Sequence, residues 1–398
     1  MAIMAMALTA MLLAAACGPS TTGAREERTE VSIGLMLAMT GPVAAATETS
    51  FLAMSDYFDY VNDEELVPDV RMKLWWVDTG IEEPRQLSTY QRFRAGGTPL
   101  IMMINDTEIF RAKSQKDQIP FLTMSQTVGV MYPPTWIYSI CPTWAESFAM
   151  WCKWARDTWQ GEGKPTVTVI GPDNIAGPGC LEPAREYIEG LGVELLPAEY
   201  VSGFVPLDTT TQLLRMADRG TDYAYILPLS STAAIIMQDA QRLGLLDRMI
   251  FGGLENTQGE VLLAQLGPAA EGYTAPRNSP FWSETDIPGV KLMQDLRTRY
   301  GRKLIWAGDD NNGIVSGMIA AEALRRAIAA VGVENVDGAA MNAALLTISD
   351  FDCDGLKTIT YTAEDHRGSD AVKVYQVQNG KVVPITDWMA APMIIPKS

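Results

Sequence analysis

From residue 31 onward, short apolar runs alternate with longer segments of amphipathic pattern. Residues 47–62 place Phe51, Met54, Phe58 and Val61 on one face of a helix, at the spacing i, i+3, i+7 and i+10. The apolar runs between such segments are short and end at turn residues, as buried strands do. The predicted strands are residues 31–37, 70–77, 99–104, 120–124, 166–170, 193–200, 223–227 and 249–252. The predicted helices are residues 47–62, 82–94, 108–116, 146–159, 180–191, 207–218 and 233–243.

Strands that alternate with helices of this length indicate βαβ units, which form parallel sheets covered by helices on both faces. The strands fall into two series, and residues 136–140 between them are interpreted as a crossing from one domain to the other. The sequence therefore predicts an α/β protein with two lobes.

The last 90 residues follow a different pattern. Residues 309–331 are rich in Ala, Met and Ile and predict one long helix that ends at Gly332. Residues 357–361, 371–378 and 381–385 are predicted strands. The last two are joined by Asn379-Gly380, the strongest short sequence signal for a hairpin.

The N-terminus has the pattern of a processing segment. Residues 1–16 are apolar apart from Thr9 and carry no charge, and they are too few to span a bilayer of about 30 Å comfortably. Ala14-Ala15-Ala16 precede Cys17 and resemble the lipobox of bacterial lipoproteins. We expect residues 1–16 to be a signal peptide, Cys17 to be lipidated and residues 17–28 to be a tether; an ordinary signal peptide cut nearby is the alternative.

Charge and composition narrow the function. The chain of 398 residues carries 48 acidic and 31 basic side chains, a net charge of -17, which argues against binding nucleic acid. Only His366 is available for histidine chemistry, and we expect it in an exposed structural turn. No nucleophile elbow, phosphate-binding loop, dinucleotide fingerprint or zinc motif occurs, so we expect neither an enzyme, nor a metal site, nor a cofactor.

Four cysteines follow the predicted export segment. Cys141, Cys152, Cys180 and Cys353 are even in number and allow three pairings if all are bridged in an oxidising compartment. None is part of a CxxC motif. We expect one disulfide and take Cys141–Cys180 as the first candidate.

Several segments, in order along the chain, resemble the type I periplasmic solute-binding proteins of the branched-chain amino acid ABC transporter family, which are similar to leucine/isoleucine/valine-binding protein. The segments are Ile33-Gly34 with Thr40-Gly41-Pro42, Ile119-Pro-Phe-Leu-Thr123, Gln241-Arg-Leu-Gly-Leu245, Phe251-Gly-Gly-Leu-Glu255, Ala269-Ala-Glu-Gly-Tyr273 and Val374-Tyr-Gln-Val-Gln-Asn-Gly-Lys381.

The resemblance implies two Rossmann-like lobes with parallel sheets, joined by three crossing segments, that close over a ligand by hinge motion. It assigns residues 29–140 and 276–347 to the N-terminal lobe, and residues 141–275 and 348–398 to the C-terminal lobe. It also implies a monomer in the periplasm or at the cell surface, anchored to the membrane by its lipid. The expected partners are a small-molecule ligand and the permease and ATPase subunits of an ABC importer.

In the N-terminal lobe, the resemblance places ligand contacts in loops that follow strands, beside helix N-termini. Hydroxyl and backbone N–H groups there hold a carboxylate without a full positive charge. Thr127 matches the position whose hydroxyl binds the ligand carboxylate in amino-acid-binding members. Capping of the following helix is the alternative role for Thr107 and Ser125. The candidate residues are Thr40, Asn105, Asp106, Thr107, Ser125, Gln126 and Thr127.

In the C-terminal lobe, Glu255 matches the carboxylate that binds the α-ammonium in amino-acid-binding members; a solvated or capping glutamate is the alternative. Ala176 and Leu229 lie in loops where relatives often carry an aromatic residue. Trp144, and also Trp136 and Trp306, are candidates for apolar ligand-facing surface, with core packing as the alternative.

The sequence thus predicts a binding protein of an ABC importer for a small carboxylate-bearing solute, an amino acid or an aromatic or amide-type compound. The alternative is a sensing protein of the same fold that reports to a signalling partner.

Overall fold

The computed structural model describes residues 28–41, 43–104, 108–124, 126–302 and 310–396. The predicted signal peptide, Cys17 and most of the predicted tether lie outside the described residues. The same is true of the candidate positions Asn105, Asp106, Thr107, Ser125 and Trp306.

The first sheet has five parallel strands in the order β2-β1-β3-β4-β5. Its inner strands are covered on both faces and are therefore almost continuously apolar, whereas the edge strand β2 alternates between buried and exposed residues at its start. The third to fifth strands are three residues each and fully buried. The strands are β1 (Thr29–Leu37), β2 (Val70–Asp78), β3 (Ile101–Met103), β4 (Phe121–Thr123) and β5 (Ile137–Ser139).

Helices from two distant parts of the chain cover the first sheet. The early ones follow its strands: α1 (Ala44–Asp63), α2 (Glu83–Ala95), α3 (Arg111–Asp117) and the short α4 (Val128–Met131). The late ones are α10 (Pro288–Arg299), α11 (Asp310–Val331) and α12 (Gly338–Leu345), whose apolar faces share one core with β1, β2 and α1.

The second sheet is mixed: a parallel centre continues into antiparallel strands from the C-terminal part of the chain. Its main path runs β15-β14-β11-β10-β9-β6-β7, while β8 pairs with β6 and β16 with β14. The strands are β6 (Thr166–Pro172), β7 (Glu194–Leu195), β8 (Glu199–Val201), β9 (Tyr223–Ile226), β10 (Ile250–Gly253), β11 (Thr274–Arg277), β14 (Ala371–Gln378), β15 (Lys381–Pro384) and β16 (Met389–Ala390).

The helices of this half are α5 (Trp144–Thr158), α6 (Arg185–Gly190), α7 (Thr210–Asp218), α8 (Ser230–Arg242) and α9 (Glu260–Leu266). The first of them begins with a capping box, in which Thr143 accepts from the Glu146 backbone N–H and the Glu146 carboxylate accepts from the Thr143 N–H. Its buried face carries Trp151, whose indole donates to Thr274 Oγ1 on β11 at 2.9 Å. This helix therefore packs directly against the centre of the second sheet.

The described chain passes three times between the parts that carry the two sheets. Residues 140–143 join β5 to α5, residues 278–287 join β11 to α10, and residues 346–370 join α12 to β14. The third segment contains a small hairpin, β12 (Phe351–Asp352) and β13 (Thr358–Ile359). We call these the first, second and third crossing segments.

Helices α1 and α11 approach closely because α11 presents glycine to α1 at two positions one turn apart. A Cβ atom built on Gly313 would lie 2.1 Å from the Ser50 carbonyl oxygen, and one on Gly317 would lie 2.9 Å from the Tyr57 ring. Because the first neighbour is backbone, the contact at Gly313 cannot be relieved by a change of rotamer.

Replacing Gly313 with alanine is expected to lower the free energy of unfolding by about 1–3 kcal/mol, since the two helices must move apart. Gly190→Ala is the matched control, because a Cβ at Gly190 meets nothing within 4 Å. Denaturant titration measures both variants. If Gly313→Ala is as stable as Gly190→Ala, the close approach of the two helices is wrong.

The structure confirms most of the predicted elements. The hairpin around Asn379-Gly380 and the long helix before Gly332 are present. Residues 136–140 were predicted as a crossing, but Ile137–Ser139 are the fifth strand of the first sheet. The helix predicted over residues 180–191 begins as a 3-10 helix, Pro178–Ala184, because Pro183 removes a backbone donor in its middle.

The predicted disulfide is not formed, and Cys141, Cys152, Cys180 and Cys353 are free thiols in the structure. Cys141 lies in the core beneath the first sheet, whereas Cys180 packs with the core that contains α5. Burial raises the pKa of the Cys180 and Cys353 thiols to about 12, and it also raises that of Cys152. Such thiols stay protonated and react slowly in disulfide exchange.

Among the described helices, none is both long enough and apolar enough to cross a membrane.

Candidate functional site

On the side of the first sheet, the structure brings Gln126, Thr127 and Trp144 together. Gln126 is buried in the loop after β4, and its side-chain amide donates to Thr123 Oγ1 at 2.8 Å. The Gln126 carbonyl accepts from the Trp144 N–H at 3.1 Å, which attaches this loop to the start of α5. Trp144 is half-buried and packs against the second core. The start of α5 therefore lies beside the loop in which ligand contacts were predicted.

Thr127 precedes α4 in the N-cap position, but its hydroxyl makes no capping hydrogen bond to that helix. The side chain is half-buried. Capping of α4 therefore does not account for this hydroxyl, and its contact with a ligand stays a prediction.

Thr40 lies farther along the same edge of the first sheet, in the turn after β1, and is exposed. Its Oγ1 atom would lie 3.3 Å from a Cβ built on Gly80, in the turn after β2. The turns after two neighbouring strands thus meet at Thr40, as expected for the carboxyl edge of a parallel sheet.

On the side of the second sheet, Ala176 and Leu229 occupy loops after β6 and β9. Ala176 is half-buried, and its N–H is held by Asn174 Oδ1 at 2.9 Å. Leu229 is buried at the start of α8. The next residue, Ser230, donates to the Asn256 carbonyl at 2.8 Å and so joins the loop after β9 to the loop after β10.

Glu255 opens a 3-10 turn directly after β10 and is buried, with 8% of its surface exposed. The two glycines before it are required, because a Cβ on Gly253 would lie 2.5 Å from both the Ile226 carbonyl oxygen and the Tyr273 hydroxyl. The carboxylate Oε2 accepts a short hydrogen bond from the side-chain amide of Asn278. A buried carboxylate needs such partners to remain ionised.

Two basic residues near Glu255 were missed in the sequence. Arg277, at the end of β11, is buried and donates to the carbonyl oxygens of Glu255 and Gln258 at 3.1 and 3.3 Å. Lys357, in the third crossing segment, is also buried, with its ammonium bonded to Asn278.

A sequence signal existed for Arg277, since a polar pair follows a buried strand at the edge that carries Glu255. No such signal existed for Lys357, which begins the predicted strand 357–361 and does not follow a strand as the predicted ligand contacts do.

His366 packs the third crossing segment against the first sheet. It lies in the third crossing segment and was expected in an exposed turn, but only 6% of its surface is exposed. Its ring stacks on Tyr138 of β5 with centroids 4.1 Å apart, and Nδ1 donates to the Ile137 carbonyl at 3.3 Å. Burial lowers the pKa of His366 below its ordinary value of 6.5, because the imidazolium loses its hydration.

This lowered pKa predicts a loss of stability in acid. As the pH falls through about 6.5, the unfolded chain binds a proton at His366 more readily than the folded chain does, so the free energy of unfolding falls, by at most about 1.4 kcal/mol per pH unit. The His366→Gln variant removes this contribution but retains the carboxylates that also titrate in acid. Chemical denaturation between pH 7.5 and 5 compares the two proteins. Parallel curves for both would contradict the assignment.

A cavity of about 490 Å³ is lined by the second and third crossing segments and by Trp388. Asn278 and Lys357 line it together with threonine and aspartate side chains of residues 350–370. None of the predicted ligand-binding residues that the structure describes lines this cavity.

Two α/β units are joined by three crossings, and polar side chains lie at the carboxyl ends of the parallel strands in both sheets. This arrangement is that of a two-lobed ligand-binding protein. Residues 30–381 match the family model described as periplasmic binding protein. The chain belongs to this family.

Solved structures share the fold over nearly the whole chain. A branched chain amino acid ABC transporter protein from Thermus thermophilus with bound valine has a TM-score of 0.83 and 23% identity, and the match covers 92% of this chain and 98% of that chain. The fatty acid ABC transporter substrate-binding protein from Thermomonospora curvata has a TM-score of 0.80 and 16% identity, with 92% and 95% covered. A possible leucine/isoleucine/valine-binding protein from Rhodopirellula baltica SH 1 has a TM-score of 0.74 and 16% identity, with 90% and 96% covered.

No sequence among the curated proteins matches the chain. The family match and the shared fold confirm the predicted type I periplasmic binding protein architecture. The family consists of solute-binding proteins and not of enzymes, so the chain is a ligand-binding protein, and the family implies an extracytoplasmic location.

Proposed function

We propose that this protein is the substrate-binding protein of an ABC importer and captures a small carboxylate-bearing solute between its two lobes. The main support is a pair of loops, one from each lobe, that are hydrogen-bonded to residues in or next to the crossing segments. One contains Gln126 and Thr127 and is bonded to Trp144, and the other contains Glu255 and is bonded to Asn278. The first supplies hydroxyl and amide groups for a carboxylate, and the second supplies a carboxylate for an ammonium.

An α-amino acid carries both groups, and Trp144 adds apolar surface for its side chain. The ligands of two proteins with this fold support a carboxylate, because valine and a fatty acid have that group in common. We therefore propose an amino acid or a related aromatic or amide-type carboxylate as the ligand, recognised by closure of the lobes. The closed form would then dock on the permease.

Thermal-shift screening of aliphatic and aromatic L-amino acids, their amides and aromatic acids tests this proposal. A ligand at 100 times its dissociation constant stabilises the folded protein by about 2.7 kcal/mol, which is readily detected. We expect at least one compound that carries a carboxylate to raise the melting temperature, and isothermal titration to give one site per chain. If no compound of these classes shifts the melting temperature, the proposed ligand class is wrong.

Residue Cys17, which lies outside the described residues, is proposed to attach the protein to a membrane through a lipid. Mass spectrometry of the mature protein tests this. A lipid-modified Cys17 at the N-terminus is expected, and a mature chain that begins elsewhere without lipid would contradict it.

A further inference from the structure

Lys357 lies where the three crossing segments meet. Its ammonium is buried and donates to Asn278 Oδ1 at 2.5 Å, to Asn312 Oδ1 at 2.8 Å and to the Ile140 carbonyl at 3.2 Å, with Cys141 Sγ at 3.0 Å. These groups belong to the second crossing segment, to α11 and to the first crossing segment. One side chain of the third crossing segment thus contacts both other crossings and a helix of the first core.

The lysine also determines how the Asn278 side chain is turned. An ammonium is only a donor, so the amide group must direct its oxygen at Lys357 and its NH2 group away from it. That NH2 group donates to Glu255 Oε2. If the amide were turned around, its NH2 group would face the ammonium and its oxygen would face the carboxylate. Both contacts would then be repulsive.

We propose that Lys357 is a positioning residue for the ligand site: through Asn278 it orients the Glu255 carboxylate and keeps it ionised for a cationic ligand group. This rests on the proposed function, which makes Glu255 a ligand contact. The charge of the lysine reaches Glu255 through one polarised amide group, and hydrogen bonds in such a chain strengthen one another in a buried setting. The protein thereby prefers ligands that carry an amine over otherwise similar acids without one.

Other groups also face Glu255 and must be kept constant in a test. Arg277 donates to the Glu255 backbone carbonyl and adds positive charge from β11. The Tyr225 phenol on β9 is fully buried, and its pKa is raised first by burial and further by several neighbours that include Glu255. A change at Lys357 leaves Arg277 and Tyr225 in place. A resulting shift in the pKa of Glu255 therefore reports on the hydrogen-bonded chain from Lys357 through Asn278 to Glu255, which we call the relay.

The test is to measure the pKa of Glu255 in the ligand-free protein by 13C NMR of side-chain-labelled glutamate, with Glu255→Gln to assign the resonance. Lys357→Met is expected to raise this pKa by at least about one unit. Lys373→Met is the matched control. It removes a lysine that lies over the Trp388 ring, with Nζ 4.6 Å from the ring centroid, and should leave the pKa of Glu255 unchanged.

Asn278→Leu gives a second arm in case Lys357→Met does not fold, because it breaks the relay but leaves Lys357 with Asn312 and Ile140. An unchanged Glu255 pKa in whichever of the two variants folds overturns the proposal. The proposed function fails separately. If Lys357→Met raises the pKa of Glu255 but Glu255→Gln binds the screened amino acids as wild type does, the relay exists and the ligand role of Glu255 is wrong.

Discussion

Glu255→Gln is expected to weaken binding of an amine-bearing ligand by about 10- to 100-fold. A hydrogen bond to a charged group contributes about 1.5–3 kcal/mol, and each 1.4 kcal/mol is a factor of ten in affinity. Glutamine keeps the size of the side chain and an oxygen that can accept from Asn278. The variant therefore removes the charge with little change in packing. Isothermal titration with the amino acid found in the screen measures the effect.

The controls separate this contact from a general effect of charge. Glu194→Gln removes one negative charge from the same sheet, at an exposed position paired with Thr166 near the amino ends of the strands. It should bind as wild type does. A ligand analogue without the amine should bind wild type and Glu255→Gln about equally. If Glu255→Gln stays within about threefold of wild type for the amino acid, Glu255 does not bind its ammonium.

Trp151→Ala is expected to lower the free energy of unfolding by about 3–5 kcal/mol, the range for truncating a large buried aromatic side chain. Trp151 is fully buried on α5, with the Tyr225 ring centroid 4.9 Å away and its indole N–H bonded to Thr274. The substitution leaves a cavity and also leaves the Thr274 hydroxyl without this donor. Denaturant titration followed by far-UV circular dichroism measures the loss.

Trp76→Ala is the control for this prediction. Trp76 lies on β2 with 47% of its surface exposed, so its removal should cost less than about 1 kcal/mol. If the two variants lose similar stability, Trp151 does not support the second sheet in the way the packing indicates. The prediction also concerns the site, because Trp151 packs beneath β9 and β11, the strands beside β10 and Glu255.

The sequence was informative where local chemistry determines the structure. The apolar runs of β1 and β2 and the Asn379-Gly380 turn were predicted because strand pattern and turn residues depend on neighbours in sequence. The resemblance located Glu255 after two glycines, and the structure shows that Gly253 must lack a Cβ for the strands to pack.

The rest of the site depends on residues far apart in the chain. Lys357 and Asn278 are 79 positions apart, and Lys357 and Ile140 are 217 apart, so no periodic pattern joins them. His366 was expected to be exposed because a lone histidine between polar residues has the pattern of a turn. Its burial results from stacking on Tyr138, which is 228 positions earlier in the chain. Such contacts are visible only once the three crossing segments are placed beside one another.

The same limit explains the error about the cysteines. Parity and an exported chain favour a disulfide, but pairing requires two Cα atoms within about 7 Å with suitably directed side chains. Cys141 belongs to the core of α1 and α11, where its sulfur lies beside Lys357. Cys180 belongs to the core of α5. The separation of these two cores is a property of the fold and is absent from the spacing of the cysteines.

A crystal structure of the protein with the tightest carboxylate-bearing compound from the screen would show directly whether the ligand binds between the lobes. We expect the ligand between the two sheets, with its carboxylate at the loop of Gln126 and Thr127 and its amine at the Glu255 carboxylate. A ligand that contacts neither loop would contradict the proposed site, most clearly if it occupied the cavity of about 490 Å³ beside Trp388 instead.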